Sequence, residues 1–378
     1  MSLREALANL ETPCLLLDRD RLQSNLTRFQ AIADSHNVTL RPHLKTLKSV
    51  EAAHMAVGSD GAITVSTLAE AEVFAAAGYR DILYGVGMAP NKLARLHRIQ
   101  QESGARILLV SDSTVMAEAA GAFAEAHGAH FHFLLEVDCG DKRGGLPADS
   151  PHLLSVAGAL KAGGATVAGV LSHAGHSYGA SERAQVEVIA EEERASAVLA
   201  ADCLRAEGYD AGIVSIGSTP TVAYATDLTG VTEVRAGVYM PFDLDQMSRG
   251  LCGHDDLALS VLTTVIGHNR EAMRILVDAG GLALSKDISA QAFMPGAGYG
   301  LVADAETLAP LDGLVVNTAS QEHGKIDVAD TAWFERLPVG AQVRILPNHA
   351  CFTAAAYPGY QLLENGALGG RWSRVNGW

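Results

Sequence analysis

From about residue 38 the chain repeats one pattern eight times, a short β-branched run followed by an alanine-rich helical run. The candidate strands are VTLRPHLK, AITVST, DILYGV, ARILLV, HFHFLLEVD, TVAGVLSH, GIVSIG and VTEVRAG. Between them lie runs such as LAEAEVFAAAG and SERAQVEVIAEEERASAVLAADCLRAEG, with a Ser, Thr, Asp or Asn near many starts and a Gly near many ends. Eight βα units in succession predict a closed parallel (β/α)8 barrel of the TIM type. Right-handed crossovers set every helix outside and leave no strand edge bare.

The pattern fails at both ends. CLLLD at 14–18 would make a ninth strand and is assigned to a separate sheet; the helix after it, RDRLQSNLTRFQAIADSHN, carries Leu22, Leu26, Phe29 and Ile32 on one face. After about residue 255, ALSVLTTVIGHN and RILVDAGG read as a hairpin, followed by GLVVNTAS, QVRILPN and YQLLENGALGGRW. The expectation is an α/β chain with a barrel over 19–250 and an all-β domain built from 1–18 and 251–378.

A formal charge of −15 and pI near 5.3 repel phosphate backbones and anionic lipid, so nucleic acid and membrane surfaces are not expected partners. The start MSLREALANLETP has no signal-peptide core and no stretch reaches the roughly 18 apolar residues of a span, which points to the cytoplasm. Five cysteines at scattered spacings, Cys14, Cys139, Cys203, Cys252 and Cys351, argue against a disulfide framework.

In such a barrel the site lies at the C-terminal strand ends. There the chain reads Arg41-Pro42-His43-Leu44-Lys45-Thr46, Glu136 to Gly144, Ser172 to Tyr178, Gly217-Ser218-Thr219-Pro220-Thr221 and Arg235-Ala236-Gly237-Val238-Tyr239. The last two loops are where barrels bind phosphate, with Ser218 or Thr219 adding a hydroxyl; taken alone, the Gly-Ser-Thr-Pro-Thr run serves equally as a turn and helix cap. Lys45 at a strand end is placed to act as an imine-forming nucleophile, although a lone lysine is usually a solvated one. A phosphate cradle and a strand-end lysine in one barrel are the two anchors that pyridoxal phosphate needs. His349-Ala350-Cys351 follows QVRILPN; in extended chain the two side chains point the same way and can share one ion. Without context the pair reads as a buried thiol beside a satisfied histidine.

Together these blocks resemble the fold-type III pyridoxal phosphate enzymes, in the D-serine dehydratase and D-threonine aldolase family, over essentially the whole chain. The matching blocks also include Glu11-Thr12-Pro13, Thr64-Val65-Ser66-Thr67, His173-Ala174-Gly175, Asp278-Ala279-Gly280 and Gln321-Glu322-His323-Gly324. The resemblance implies an alanine racemase-like barrel plus β-domain, usually dimeric, whose β-domain closes the partner's site. It implies Lys45 as the Schiff-base lysine and Gly217, Ser218, Thr219, Gly237, Val238 and Tyr239 around the phosphate. Arg143 and Tyr178 then lie near the cofactor ring, with His173 in the same pocket. His349 and Cys351 become the metal pair. Aldolases of this group carry His-x-Asp there and dehydratases His-x-Cys, and thiolate softness favours zinc, with manganese as the other candidate. The implied reaction is loss of water from a D-3-hydroxy amino acid. Retro-aldol cleavage is the nearest rival, and a racemase or a non-catalytic cofactor carrier is more distant.

Overall fold

The computed structural model describes residues 2–378. Eight strands, Thr39–Leu40, Ile63–Val65, Asp81–Gly87, Arg106–Ser111, His132–Val137, Thr166–Ser172, Ile213–Ile216 and Glu233–Val234, form one parallel sheet; the second to the eighth each pair with the next in sequence, and the first pairs with the last. The remaining gap, between the first and second strands, is bridged at His43 and Thr64. Leu44 N–H reaches Thr64 O at 2.8 Å and Thr64 N–H reaches Pro42 O at 2.9 Å. The sheet therefore curls until its edges meet, and the alternating pattern is realised as the barrel it predicts.

The register sets Glu136, Leu171, Ser215 and Glu233 side by side on one face. Leu83, Leu108, Val110, Leu134 and Leu171 form a buried apolar cluster. Elsewhere the interior is ionic. Arg41, only 2% exposed, bonds Glu233 at 2.8 Å and Asp81 at 3.0 Å, so its desolvated charge is paired twice. The longest helix, Arg183–Ala206, buries Val186, Ala190, Glu193, Ala197, Ala200, Ala201 and Leu204 as one stripe.

The structure divides the chain into residues 27–237 with 375–378, and residues 1–26 with 238–374. These boundaries differ from the expected 18/19 and 250/251, and the hydrogen bonds give the reason. The first turns of helix Arg19–Ser35 are tied into the later segment: Asn25 Nδ2 donates to Met240 O and Asp256 O, and Arg21 donates to His254 O. The stretch after Gly237 is pinned in turn, with Leu244 N–H on Pro347 O and Asp245 N–H on Asn348 O. On the helix face Leu22, Leu26 and Phe29 are buried, whereas Ile32 is only half-buried.

The second unit is organised around Leu259–Asn269, which pairs antiparallel with Cys14–Asp18, Arg274–Val277 and Gln342–Leu346. The expected hairpin and the contribution of the N-terminal strand are both present. Two of the sequence blocks are structural joints. Asp278 accepts from Thr12 Oγ1, Thr263 Oγ1 and Thr264 N–H, and a side chain at Gly280 would press within 2.4 Å of Gln321 O and His323 N. Among the described residues no helix is long and apolar enough to cross a membrane.

Candidate active site

Lys45 stands where the first barrel strand has just ended. Its neighbours Leu44 and Thr46 are fully buried and its own side chain is exposed, so the backbone is fixed while the amine projects. His43 N–H donates to Ala236 O at 2.7 Å, which ties this loop to the eighth strand's end. Burial, and then the charges of Lys45 and Arg235, hold the His43 imidazole well below its ordinary range. Three residues beyond Lys45, the Lys48 ammonium lies 3.0 Å from the buried Glu70 carboxylate.

His173 follows the sixth strand. Its Nδ1 lies 2.8 Å from Gly217 O, so Nδ1–H donates to that carbonyl and Nε2 keeps the lone pair. Burial, opposed by this hydrogen bond but aided by Arg143, Lys45 and Arg235, lowers the ring's pKa to about 3. Gly217 has φ +131, and a side chain there would meet Arg235 O at 2.4 Å, which explains glycine at this point.

The seventh loop spends most of its polar groups on itself. Ser218 caps helix Thr219–Ala223, its hydroxyl lying 3.0 Å from those of Ser177 and Thr221, and its N–H donates to Thr221 Oγ1. Gly217 N–H donates to Glu193 Oε1 at 3.0 Å. Thr219 Oγ1, by contrast, is buried without a hydrogen-bond partner. A hydroxyl in that state fits an incoming phosphate oxygen, so the residues present suit a phosphorylated cofactor. Gly237 ends the eighth strand region; Val238 and Tyr239 follow in the other unit, where Tyr239 is fully buried and Val238 O accepts from Phe242 N–H.

Arg143 lies on the loop after the fifth strand, more than half exposed, with Nη2 3.6 Å from Glu136. Tyr178 sits half-buried on the short turn Gly175–Gly179. Cys139 is 7% exposed, and burial pushes its thiol up to about 11, as suits a filler. Glu193 was not singled out from the sequence. Its Oε1 accepts the N–H groups of both Ala174 and Gly217, so one carboxylate joins the sixth and seventh loops from behind. The signal was present: a lone glutamate on the apolar stripe of an alanine-rich helix. Arg235 is likewise internal, donating to Ser215 Oγ and Ser172 O, and burial brings it down to about 10 despite Glu233 and Glu193.

In the other unit the strand Gln342–Leu346 ends before the His-Ala-Cys run. His349 keeps an extended backbone but caps the short helix Ala350–Ala354, which places Cys351 on a first helical turn. Convergence thus arises from a helix start, correcting the expectation of continuous extended chain. Burial would lower the His349 pKa, but hydrogen bonds to Asp287 and Cys351 and the neighbouring Asp243 raise it to about 11. Two residues apart across this helix start, an imidazole and a thiol are donor types suited to a borderline-soft divalent ion. Among the described residues no cluster of three or more His, Cys, Asp or Glu is shaped to hold a metal. The pair is therefore at most part of a coordination sphere.

Residues 17–244 match the alanine racemase N-terminal domain family, and residues 258–363 match the putative serine dehydratase domain family. Over 383 aligned residues the chain is 44% identical to the D-threo-3-hydroxyaspartate dehydratase of Delftia sp. (strain HT23), with the whole of both chains covered. The chain belongs to the fold-type III pyridoxal phosphate enzymes. Within that family it is also 29% identical over 384 residues to a D-serine dehydratase of Dictyostelium discoideum, covering 94% of each chain. A solved cysteine-to-alanine variant of D-threo-3-hydroxyaspartate dehydratase, in a metal-free form, matches with a TM-score of 0.94 at 43% identity, covering 98% of this chain and 99% of that one. This fold-type III chain thus aligns from end to end with a dehydratase, in both units.

Proposed function

We propose that this chain is a pyridoxal phosphate- and metal-dependent lyase. It removes water from a D-3-hydroxy amino acid, of the D-threo-3-hydroxyaspartate or D-serine type, and yields a 2-keto acid and ammonia. The observation that carries the reading is the His349-Ala350-Cys351 run at the start of helix Ala350–Ala354, in a chain that aligns over its full length with a dehydratase. The metal-free form of a cysteine variant among its relatives supports placing an ion at this pair. Thiolate softness favours zinc, with manganese second.

When bound, pyridoxal phosphate supplies an electron sink for the pair left at Cα. A divalent ion on His349 and Cys351 supplies a Lewis acid toward the β-hydroxyl. The chain's own residues do the rest. Lys45 would hold the cofactor, and its exposed amine is placed to take the substrate's α-proton. Thr219 Oγ1 would donate to the phosphate, with Gly217, Ser218, Gly237, Val238 and Tyr239 as the other residues that would hold it. His173, held neutral with its proton on Nδ1, presents Nε2 as an acceptor. Arg143 and Tyr178 would be the residues that face the cofactor ring. The same proposal includes a homodimer in the cytoplasm.

A substrate panel tests it. Purified protein with cofactor and zinc is incubated with D-serine, D-threonine and both D-3-hydroxyaspartate diastereomers, and keto acid, glycine and aldehyde are measured. Keto acid with ammonia is the expected outcome. Glycine and acetaldehyde from D-threonine, without 2-oxobutanoate, would instead make the chain an aldolase.

A further inference from the structure

We propose that Asp287 is a positioning residue for the metal pair, holding the His349 ring in the tautomer that offers Nε2 to the ion. The inference rests on His349 and Cys351 being metal ligands.

Asp287 lies on the loop between helix Gly281–Leu284 and the turn Ser289–Ala292, and its side chain is about one-fifth exposed. Its carboxylate is aimed from two sides. Oδ1 accepts the N–H of Ser289 at 2.8 Å, and Oδ2 lies 3.2 Å from Nδ1 of His349. The carboxylate is thus held between the Ser289 backbone and the His349 ring. A carboxylate that accepts from Nδ1–H leaves the lone pair on Nε2, fixes the ring's rotation and makes Nε2 a stronger donor.

A second acid grips the other half of the motif. Asp243 Oδ2 accepts the N–H of Ala350, the peptide between the two ligands, at 2.9 Å. Asp287 therefore controls the ring while Asp243 controls the backbone that sets Cys351 beside it. Asp287 is the better probe, because Asp243 also caps helix Leu244–Ser248 and is fully buried.

The test is metal affinity, read without turnover. Apoprotein is titrated with cadmium, whose charge-transfer band with thiolate reports Cys351 directly, and with zinc in competition with a chromophoric chelator. Wild type, Asp287→Asn and Asp287→Ala are compared, with thermal unfolding and cofactor absorbance as controls for folding. Asp287→Ala is expected to bind about 10- to 100-fold more weakly. Asp287→Asn, which can still accept from Nδ1–H but carries no charge, is expected to fall between the two. Equal affinity in Asp287→Ala and wild type overturns the inference and leaves the metal pair standing. No thiolate band in the wild type overturns the pair itself and the inference with it.

Discussion

Thr219 and His173 show how a single residue can be read for its chemistry. The Thr219 hydroxyl is buried with no partner, which costs on the order of 1–3 kcal/mol until an acceptor meets it. Replacing it with the isosteric valine should weaken pyridoxal phosphate binding about tenfold, the worth of one hydrogen bond to a charged group of roughly 1.5 kcal/mol. The apoprotein's thermal stability should be unchanged or raised. An absorbance titration checks this, and unaltered affinity would move the phosphate elsewhere. His173 makes a separate prediction about pH. Its ring titrates near 6.5 when unfolded but at about 3 when folded. Above pH 6.5 both states are neutral and nothing is lost. As pH falls below 6.5 the unfolded chain takes up a proton that the folded chain refuses, so stability declines progressively toward pH 3. In apoprotein the denaturant midpoint should therefore drop between pH 7 and pH 5, and His173→Asn should flatten that drop. His43, shifted in the same direction, leaves a residual slope.

At the scale of elements, helix Arg183–Ala206 both covers the barrel and braces its mouth. Its apolar stripe is legible as periodicity, but the glutamate on that stripe has meaning only once Ala174 and Gly217 are seen behind it. Glu193→Leu keeps the stripe apolar and strands two buried N–H groups. It should cost about 2–6 kcal/mol in chemical denaturation, since each stranded N–H is worth roughly 1–3 kcal/mol. Glu193→Gln keeps an acceptor and should stay near wild type, because burial already disfavours the ionised acid. If the leucine and glutamine variants prove equally stable, the brace is not what holds these loops. The first strand teaches a related point. VTLRPHLK reads as one long strand, yet regular pairing covers only Thr39–Leu40. Arg41 and His43 continue the ladder to Val234 O and Ala236 O, while Pro42 between them has no N–H to give. Propensity marks where a strand can run; the proline and the neighbouring carbonyls determine where it changes into the Lys45 loop.

For the whole molecule, the proposed chemistry needs both the cofactor and the metal ion. Chelation should therefore abolish keto-acid formation while leaving the cofactor's visible absorbance intact. Turnover that survives in metal-free protein would separate the reaction from His349 and Cys351. Eight alternating runs, a strand-end lysine, a Gly-Ser-Thr-Pro-Thr loop and a His-x-Cys pair are all local in the chain. Periodicity and spacing therefore determined the barrel, the added β-rich unit, the strand-end lysine and the phosphate-type loop, whereas the roles of Arg143, His173, Tyr178 and the His349–Cys351 pair came from the family resemblance. Other features join residues far apart in sequence, such as Asp287 to His349, Glu193 to Gly217, and Asn25 to Met240 and Asp256. Only the tertiary structure decided these, along with the unit boundaries and the unspent hydroxyl at Thr219. The reason is physical: a hydrogen bond between distant segments leaves no periodic trace in either one, and whether a polar atom is satisfied depends on what the rest of the fold brings to it.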